Sequence, residues 1–225
     1  MIPSDKILPV IGIPRSGTSL VMQTLKLLEV PIAGDKFLKN SKEKWNPLGF
    51  WEVPYVVFDG VRELGDYGGK AIKLVSNGFV RTNKALVWKT ILCLRCPFEI
   101  RQSNKKVNDD NNIDSFSYLL LMSRILELML DQKPQDWLVV DYEDTLKEPF
   151  RFVKELAAFA EVGLNKKAID NIQPKLRTCE GDIAVSSGEK TISDALLLYD
   201  ILHNPWNAQR SDIERILNWT KREVA

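Results

Sequence analysis

The chain has 225 residues, enough to bury a sizeable core in one domain, and its 44% hydrophobic and 27% charged content is that of an ordinary globular protein. With 31 Lys and Arg against 30 Asp and Glu the net charge is +1, which excludes the broad basic face of a nucleic-acid binder and requires any anion site to be built locally. No stretch has the length of a membrane span and no N-terminal signal pattern is present; Cys93, Cys96 and Cys179 read as reduced cytosolic thiols, and the C-x-x-C spacing of the first two has no second pair to make a zinc site.

The run Ile7-Leu8-Pro9-Val10-Ile11 is apolar without alternation, which predicts a buried strand over 7–12. It leads into Gly12-Ile13-Pro14-Arg15-Ser16-Gly17-Thr18-Ser19, and a helical pattern over roughly 17–29 leads out. Strand, glycine-framed turn and helix N-terminus together form an anion cradle, in which backbone N–H groups and the helix dipole face the ligand. The Gly-x4-Gly spacing is that of a P-loop, but the Lys-Ser/Thr that should follow is Thr18-Ser19, so the loop lysine is missing and Arg15 is the cation within the turn. Hydroxyls at Ser16, Thr18 and Ser19 favour anion binding over the ordinary reading of a glycine-rich turn that binds nothing.

The lysine-containing stretch 34–46 reads as a solvated loop, with a cationic lid over an anion as the sharper alternative. Asn46-Pro47-Leu48-Gly49-Phe50-Trp51-Glu52 then makes a turn and places a carboxylate at the head of a helical pattern through Val56, Val57, Val61 and Leu64. Glu52 is either an acid favoured by the helix dipole or a general base desolvated against Phe50 and Trp51, and spacing does not choose between them. Residues 70–75 read as a second parallel strand, with Lys73 near the C-terminal end, where ligands bind in open α/β sheets.

A third strand region over 86–94 ends in Arg95, and Pro97 opens a helix bearing Arg101 and Ser103. An Arg at that edge suits a second anion site, although alone it reads more simply as a salt-bridged strand end. Residues 108–114 form a polar loop, 115–130 a helix and 137–140 a fourth strand, followed by Asp141-Tyr142-Glu143-Asp144. Helices are expected from Glu148-Pro149 to about Ala160, over 164–173, and at roughly 191–203 and 209–223, with a loop over 177–190. The single histidine, His203, reads as structural or exposed. Trp51, Tyr55, Phe58 and Phe79 could line an acceptor pocket, but plain core is the simpler reading. No repeat or linker divides the chain, so one domain spans 1–225, with a helical segment over 190–225 packed on it. The alternation predicts a three-layer α/β/α fold with a mostly parallel central sheet, P-loop NTPase-like.

Four of these stretches resemble one family, the sulfotransferases that use 3′-phosphoadenylyl sulfate (PAPS). Gly12 to Leu20 is similar to their 5′-phosphosulfate loop. Leu94-Arg95-Cys96-Pro97 through Ser103 is similar to their 3′-phosphate motif, with a Ser eight residues beyond the Arg. Val140 through Pro149 is similar to their strand and "YEDL…P" segment, and Asn46 to Glu52 to the "N..G.wE" element of the branch whose base is a carboxylate. The resemblance covers about residues 7 to 160. Cys96 stands where the family usually has Asp, the catalytic His of the aryl and steroid enzymes has no counterpart, and no "RKG"-type donor loop is evident, leaving Lys175-Leu176-Arg177 or residues 181–190 in its place.

The resemblance implies a metal-free sulfuryl transfer from PAPS, releasing adenosine 3′,5′-bisphosphate (PAP), to a hydroxyl or amine of a small molecule, glycan or lipid. It implies that Ser16, Gly17, Thr18 and Ser19 hold the 5′-phosphate and that Arg95, Ser103 and Arg177 contribute to the donor site. Arg15, with Lys73 as a second candidate, would neutralise the leaving group, and Glu52 would accept the acceptor's proton. A cytoplasmic bacterial enzyme, with no nucleic-acid partner and no stable membrane insertion, fits this reading. A P-loop phosphotransferase, and a nucleotide-binding protein that has lost turnover, are the alternatives.

Overall fold

Four parallel strands, in the order β2-β1-β3-β4, form the sheet of the computed structural model, which describes residues 1–36, 46, 48–106, 115–172 and 190–224. They are β1 (Ile7–Gly12), β2 (Lys70–Val75), β3 (Thr90–Leu94) and β4 (Trp137–Asp141). All residues of β1 are buried, as the unalternating apolar run predicts for a central strand of a parallel sheet. Pro9 has no N–H to give to a ladder. The continuous β1–β3 ladder accordingly starts one residue later, at Val10↔Ile91, while β1 pairs with β2 along its whole length.

Successive strand residues point to opposite faces, and this alternation builds two cores. Ile7, Ile11, Ile72, Leu74 and Leu92 pack with Phe79 and with α5 (Ser115–Leu130) and α9 (Lys190–His203). Leu8, Val10, Ala71, Ile91 and Cys93 pack with α1 (Thr18–Leu27) and α7 (Pro149–Phe159). The result is the expected three-layer α/β/α arrangement. Because all four strands run the same way, the turns that follow Gly12, Val75, Leu94 and Asp141 gather along one edge of the sheet.

Several local expectations are corrected. The helix expected beyond Glu52 is only α2 (Val56–Asp59), followed by a 3-10 turn at Gly65–Tyr67. Tyr55 enters α2 at φ 65° and Gly60 leaves it at φ 76°, and neither backbone setting can continue a helix. Glu52 itself lies in an isolated antiparallel bridge to Asp35, which removes its reading as an acid at a helix N-terminus. The third strand is shorter than expected, because Lys84–Leu86 forms a 3-10 turn. Two short helices, α3 (Ser76–Arg81) and α6 (Tyr142–Lys147), directly follow β2 and β4, and α4 (Pro97–Lys106) follows β3. α8 (Lys166–Asp170) is shorter than expected, and α10 (Arg210–Val224) closes the described chain. Phe79 is fully buried and meets Trp137 edge-on at 5.8 Å, so it is core; Tyr55 and Phe58 are exposed. Most of the stretch 34–46, the loop 108–114 and nearly all of 177–190 lie outside the described residues.

Candidate active site

The turn after β1 is as tight as its glycines imply. A Cβ on Gly12 would lie 2.3 Å from Ser16 Oγ and 2.8 Å from the Cys93 carbonyl oxygen, so only glycine fits there. The Ser16 N–H donates to the Ile13 carbonyl at 3.0 Å. Arg15 takes φ 76° and Gly17 φ 100°, a left-handed pair that turns the chain into α1. No side chain caps the N-terminus of α1 and no acid lies in its first turn, so the positive end of its dipole is open to an external anion. Ser16 Oγ is buried with no hydrogen-bond partner among the described residues. A buried hydroxyl left unpaired costs about 1–3 kcal/mol, and a ligand oxygen at this turn would satisfy it.

The second predicted anion site adjoins the first. Arg95, at the end of β3, is 4% exposed and its guanidinium is held on three sides. Nε donates to Glu99 Oε2 at 2.8 Å, Nη1 donates to the Arg15 carbonyl at 3.1 Å, and the Tyr142 ring lies 4.4 Å away. Nη2 is buried without a hydrogen-bond partner among the described residues. Ser103, fully buried on α4, accepts from Arg15 Nε at 3.0 Å. Arg15 therefore joins the glycine turn to the Arg95–Ser103 pair, and the two candidate sites form one continuous surface. Cys96 is partly buried ahead of α4, and burial pushes its thiol up, with the Phe98 and Glu99 N–H groups acting in the opposite direction.

Lys73 rises from β2 beside this surface and is 6% exposed. Its Nζ donates to Glu52 Oε1 at 2.5 Å, to Ser19 Oγ at 3.0 Å and to the Phe50 carbonyl at 3.3 Å. Burial holds its pKa below the ordinary lysine value, against the opposing pull of Glu52 and with a smaller push from Arg15. The strand thus supplies, in space, an ammonium beside a loop that lacks one in sequence. Glu52, expected from its place after two aromatics and from the "N..G.wE" resemblance, stands next to that ammonium and reaches the loop through it. Trp51 and Tyr55, on either side of Glu52, both have positive φ, at 54° and 65°. Arg177 lies outside the described residues.

Two features escape a reading by spacing. Tyr142 packs its ring against both Arg95 and Gly17, where an added Cβ would come within 2.7 Å of Tyr142 Cδ2. Asp141, Tyr199 and His203 form a hydrogen-bonded cluster at the end of β4. Tyr142 is marked in sequence by its position one residue past a strand and by its place in the "YEDL…P"-like segment, but neither signal indicates its contacts with Arg95 and Gly17, and no local signal exists for the cluster. Among the described residues, no group of three or more His, Cys, Asp and Glu side chains is arranged to hold a metal ion, and no helix is long and apolar enough to cross a membrane.

An all-parallel sheet whose first strand runs through a glycine turn into a helix defines a P-loop-like α/β protein. The sequence matches no family model and no curated relative. Among solved structures, the chain is similar to the sulfotransferase domain of the Synechococcus PCC 7002 olefin synthase, at 14% identity over 90% of this chain and 96% of that one, with a TM-score of 0.52. It is also similar to mouse sulfotransferase SULT7A1 complexed with PAP, at 13% identity over 99% of this chain and 91% of that one, with a TM-score of 0.50. The fold is that of the sulfotransferases.

Proposed function

We propose that this protein is a PAPS-dependent sulfotransferase, a single domain that moves a sulfuryl group to a hydroxyl or amine of a small-molecule, glycan or lipid acceptor. The observation that carries the reading is the junction of Arg15 with Ser103 and Arg95. A second guanidinium beside the glycine turn supports a donor with phosphates at both ends of its ribose. The orphaned Ser16 Oγ and Arg95 Nη2 are one polar atom in each site with hydrogen-bonding capacity to offer a donor. The mouse neighbour was solved with PAP.

In this reading the turn N–H groups and the Ser16, Thr18 and Ser19 hydroxyls hold the 5′-phosphosulfate, and Arg95 and Ser103 hold the 3′-phosphate. Arg177 would add to the donor site from the C-terminal side. The acceptor oxygen or nitrogen attacks sulfur in line; its bond to sulfur forms as the bond from sulfur to the bridging oxygen breaks. The acceptor's proton passes to the Glu52 carboxylate. That transfer neutralises Glu52 and frees the Lys73 charge from its ion pair as negative charge grows on the departing phosphate; Nζ already reaches the loop, at 3.0 Å from Ser19 Oγ. Arg15 adds a second cation at the loop. The reaction fits a cytoplasmic setting, with neither nucleic acid nor membrane as partner.

Calorimetric titration with PAP in EDTA, beside ATP with Mg²⁺, tests the reading. Binding of PAP but not of ATP is expected. Because Lys73 brings an ammonium to the loop, a phosphotransferase is the specific rival, and ATP·Mg²⁺ binding without PAP binding would replace the first reading with it. Tight PAP binding without transfer to any acceptor would mark a donor-binding protein that has lost turnover.

A further inference from the structure

Asp141 is the last residue of β4, and its carboxylate faces two ways. Oδ1 accepts from the Glu143 and Asp144 N–H groups at 2.8 and 3.1 Å, capping α6. Oδ2 accepts from the Tyr199 hydroxyl at 2.5 Å and lies 3.3 Å from His203 Nε2. Tyr199 and His203 are one turn apart on α9, with their rings edge-on at 4.6 Å. His203 Nδ1 is 2.8 Å from the Tyr199 carbonyl, which can only accept, so Nδ1 carries a proton. Nε2 then meets an acidic oxygen. The contact is attractive when Nε2 is also protonated, and it sets lone pair against lone pair when it is not.

The residue after Asp141 is Tyr142, which stacks on Arg95 and walls Gly17. One carboxylate therefore ties α9 to the first turn of α6, and that turn carries a ring that shapes both halves of the candidate donor site. From these contacts we propose that His203 is a positioning residue for donor binding: its protonated form clamps α9 to Asp141 and holds Tyr142 against Arg95, so that PAP is bound more tightly by the protonated state. The inference rests on the PAP-binding reading of the site.

The charged surroundings are mixed. On its own helix His203 has Asp200 nearby. The groove it borders carries Asp144 on α6, Glu148 between α6 and α7, and Arg151 and Glu155 on α7. Cys96, in the turn between β3 and α4, and Tyr118 on α5 also interact electrostatically with Asp141. Burial pulls the His203 pKa down, but the hydrogen bonds to Asp141 and to the Tyr199 carbonyl and the charges of Asp141 and Asp200 outweigh it and leave the imidazole above its ordinary value.

His203 is the one histidine of the chain, so its ring resonance is assigned without ambiguity and its titration can be followed by NMR in the intact protein. Coupling between sites is reciprocal, so saturation with PAP should raise the His203 pKa. In calorimetry, His203→Gln should bind PAP roughly five- to tenfold more weakly than wild type at pH 5.5, with the two converging by pH 9. Comparing the two proteins at one pH cancels the titration of PAP itself. Tyr199→Phe, which keeps the histidine, should lower affinity in the same pH range, and guards against a folding failure of the first variant. A His203 pKa unmoved by bound PAP, or a wild-type to variant affinity ratio that is the same at every pH, would overturn the inference while leaving PAP binding intact. No PAP binding by wild type at any pH would overturn the function reading, and this inference with it.

Discussion

Lys73 and Glu52 face each other across 21 residues of sequence, with Nζ 2.5 Å from Oε1, and the same Nζ reaches Ser19 at the start of α1. The pair therefore joins the proposed base to the proposed donor loop. Glu52→Gln retains an acceptor for Lys73 and a side chain of the same shape, but cannot take a proton. A positioned base contributes on the order of 10²–10⁴ in rate, so transfer should fall by that factor while PAP affinity by calorimetry stays within about twofold. Unchanged turnover would remove Glu52 from the chemistry.

Lys73→Met tests the other half of the pair. The ammonium is buried and bears a desolvation cost, whereas Glu52 is 24% exposed at its side chain and can be solvated when left alone. The melting temperature should therefore change little. Transfer should drop by roughly 10²–10³, the scale of losing one preorganised group at developing charge. Combined with Glu52→Gln, the loss should be smaller than the product of the two single effects, because both act through one contact. Multiplicative losses would mean that the two residues act independently.

The contrast between these residues and their neighbours explains what could be read from sequence. Gly12 and Gly17 are legible because the constraint on each is a backbone matter, set within a few residues of chain. β1, α5 and α7 are legible because their apolar periods run for several residues or turns. α3 and α6 have six residues each, too few to display a 3.6-residue period. The donor motifs could be named one by one, but the Arg15–Ser103 bond spans 88 residues and the Asp141–His203 contact 62, and local spacing carries no information about such pairings. The reading of Glu52 as an acid at a helix N-terminus fell to its bridge with Asp35, and the Lys73 beside it comes from β2, 21 residues away, beyond the reach of local spacing.

Arg95 carries two loads, and its substitution must separate them. The guanidinium is ion-paired with Glu99, which is 7% exposed, so Arg95→Ala would take a cation away from a buried carboxylate and should destabilise the fold by up to about 3–5 kcal/mol. The double variant Arg95→Met, Glu99→Gln removes both charges and should recover most of that stability, as read by thermal melting. PAP affinity should remain at least 10²-fold weaker in both, since the guanidinium proposed to hold the 3′-phosphate is gone from each. Recovery of affinity together with stability would show that Arg95 supports the fold and does not touch the ligand.

Gly17→Ala introduces two separate strains. φ at this position is 100°, and the new methyl would sit 2.7 Å from Tyr142 Cδ2. The backbone component alone costs roughly 1–2 kcal/mol. Tyr142→Ala in the same chain removes the clash but not the φ penalty, so the double variant should be less destabilised than the sum of the single ones, with a coupling of about 0.5–3 kcal/mol by chemical denaturation. Strict additivity would mean that the ring moves aside freely, and would weaken the role given to Tyr142 as a fixed wall.

Thermal stability should show a window of pH set by the Asp141–His203 contact. For Asp141, burial acts to raise the pKa, but the hydrogen bonds from His203, Tyr199 and the Asp144 N–H prevail and hold it below the ordinary carboxylate value. A depressed acid stabilises the fold above its unfolded pKa, near 3.9, and that contribution is lost as pH falls through the lower folded value. His203 has the opposite sign: its raised pKa contributes fully below the unfolded value, near 6.5, and the contribution disappears as pH rises through the folded one. The melting temperature should therefore be highest between about pH 4 and 6.5 and should decline on both sides. Asp141→Asn retains a good N-cap for α6 while removing the charge, so it should flatten both limbs without abolishing folding. A wild-type profile that keeps its alkaline decline in the Asp141→Asn variant would place the responsible titration elsewhere in the chain.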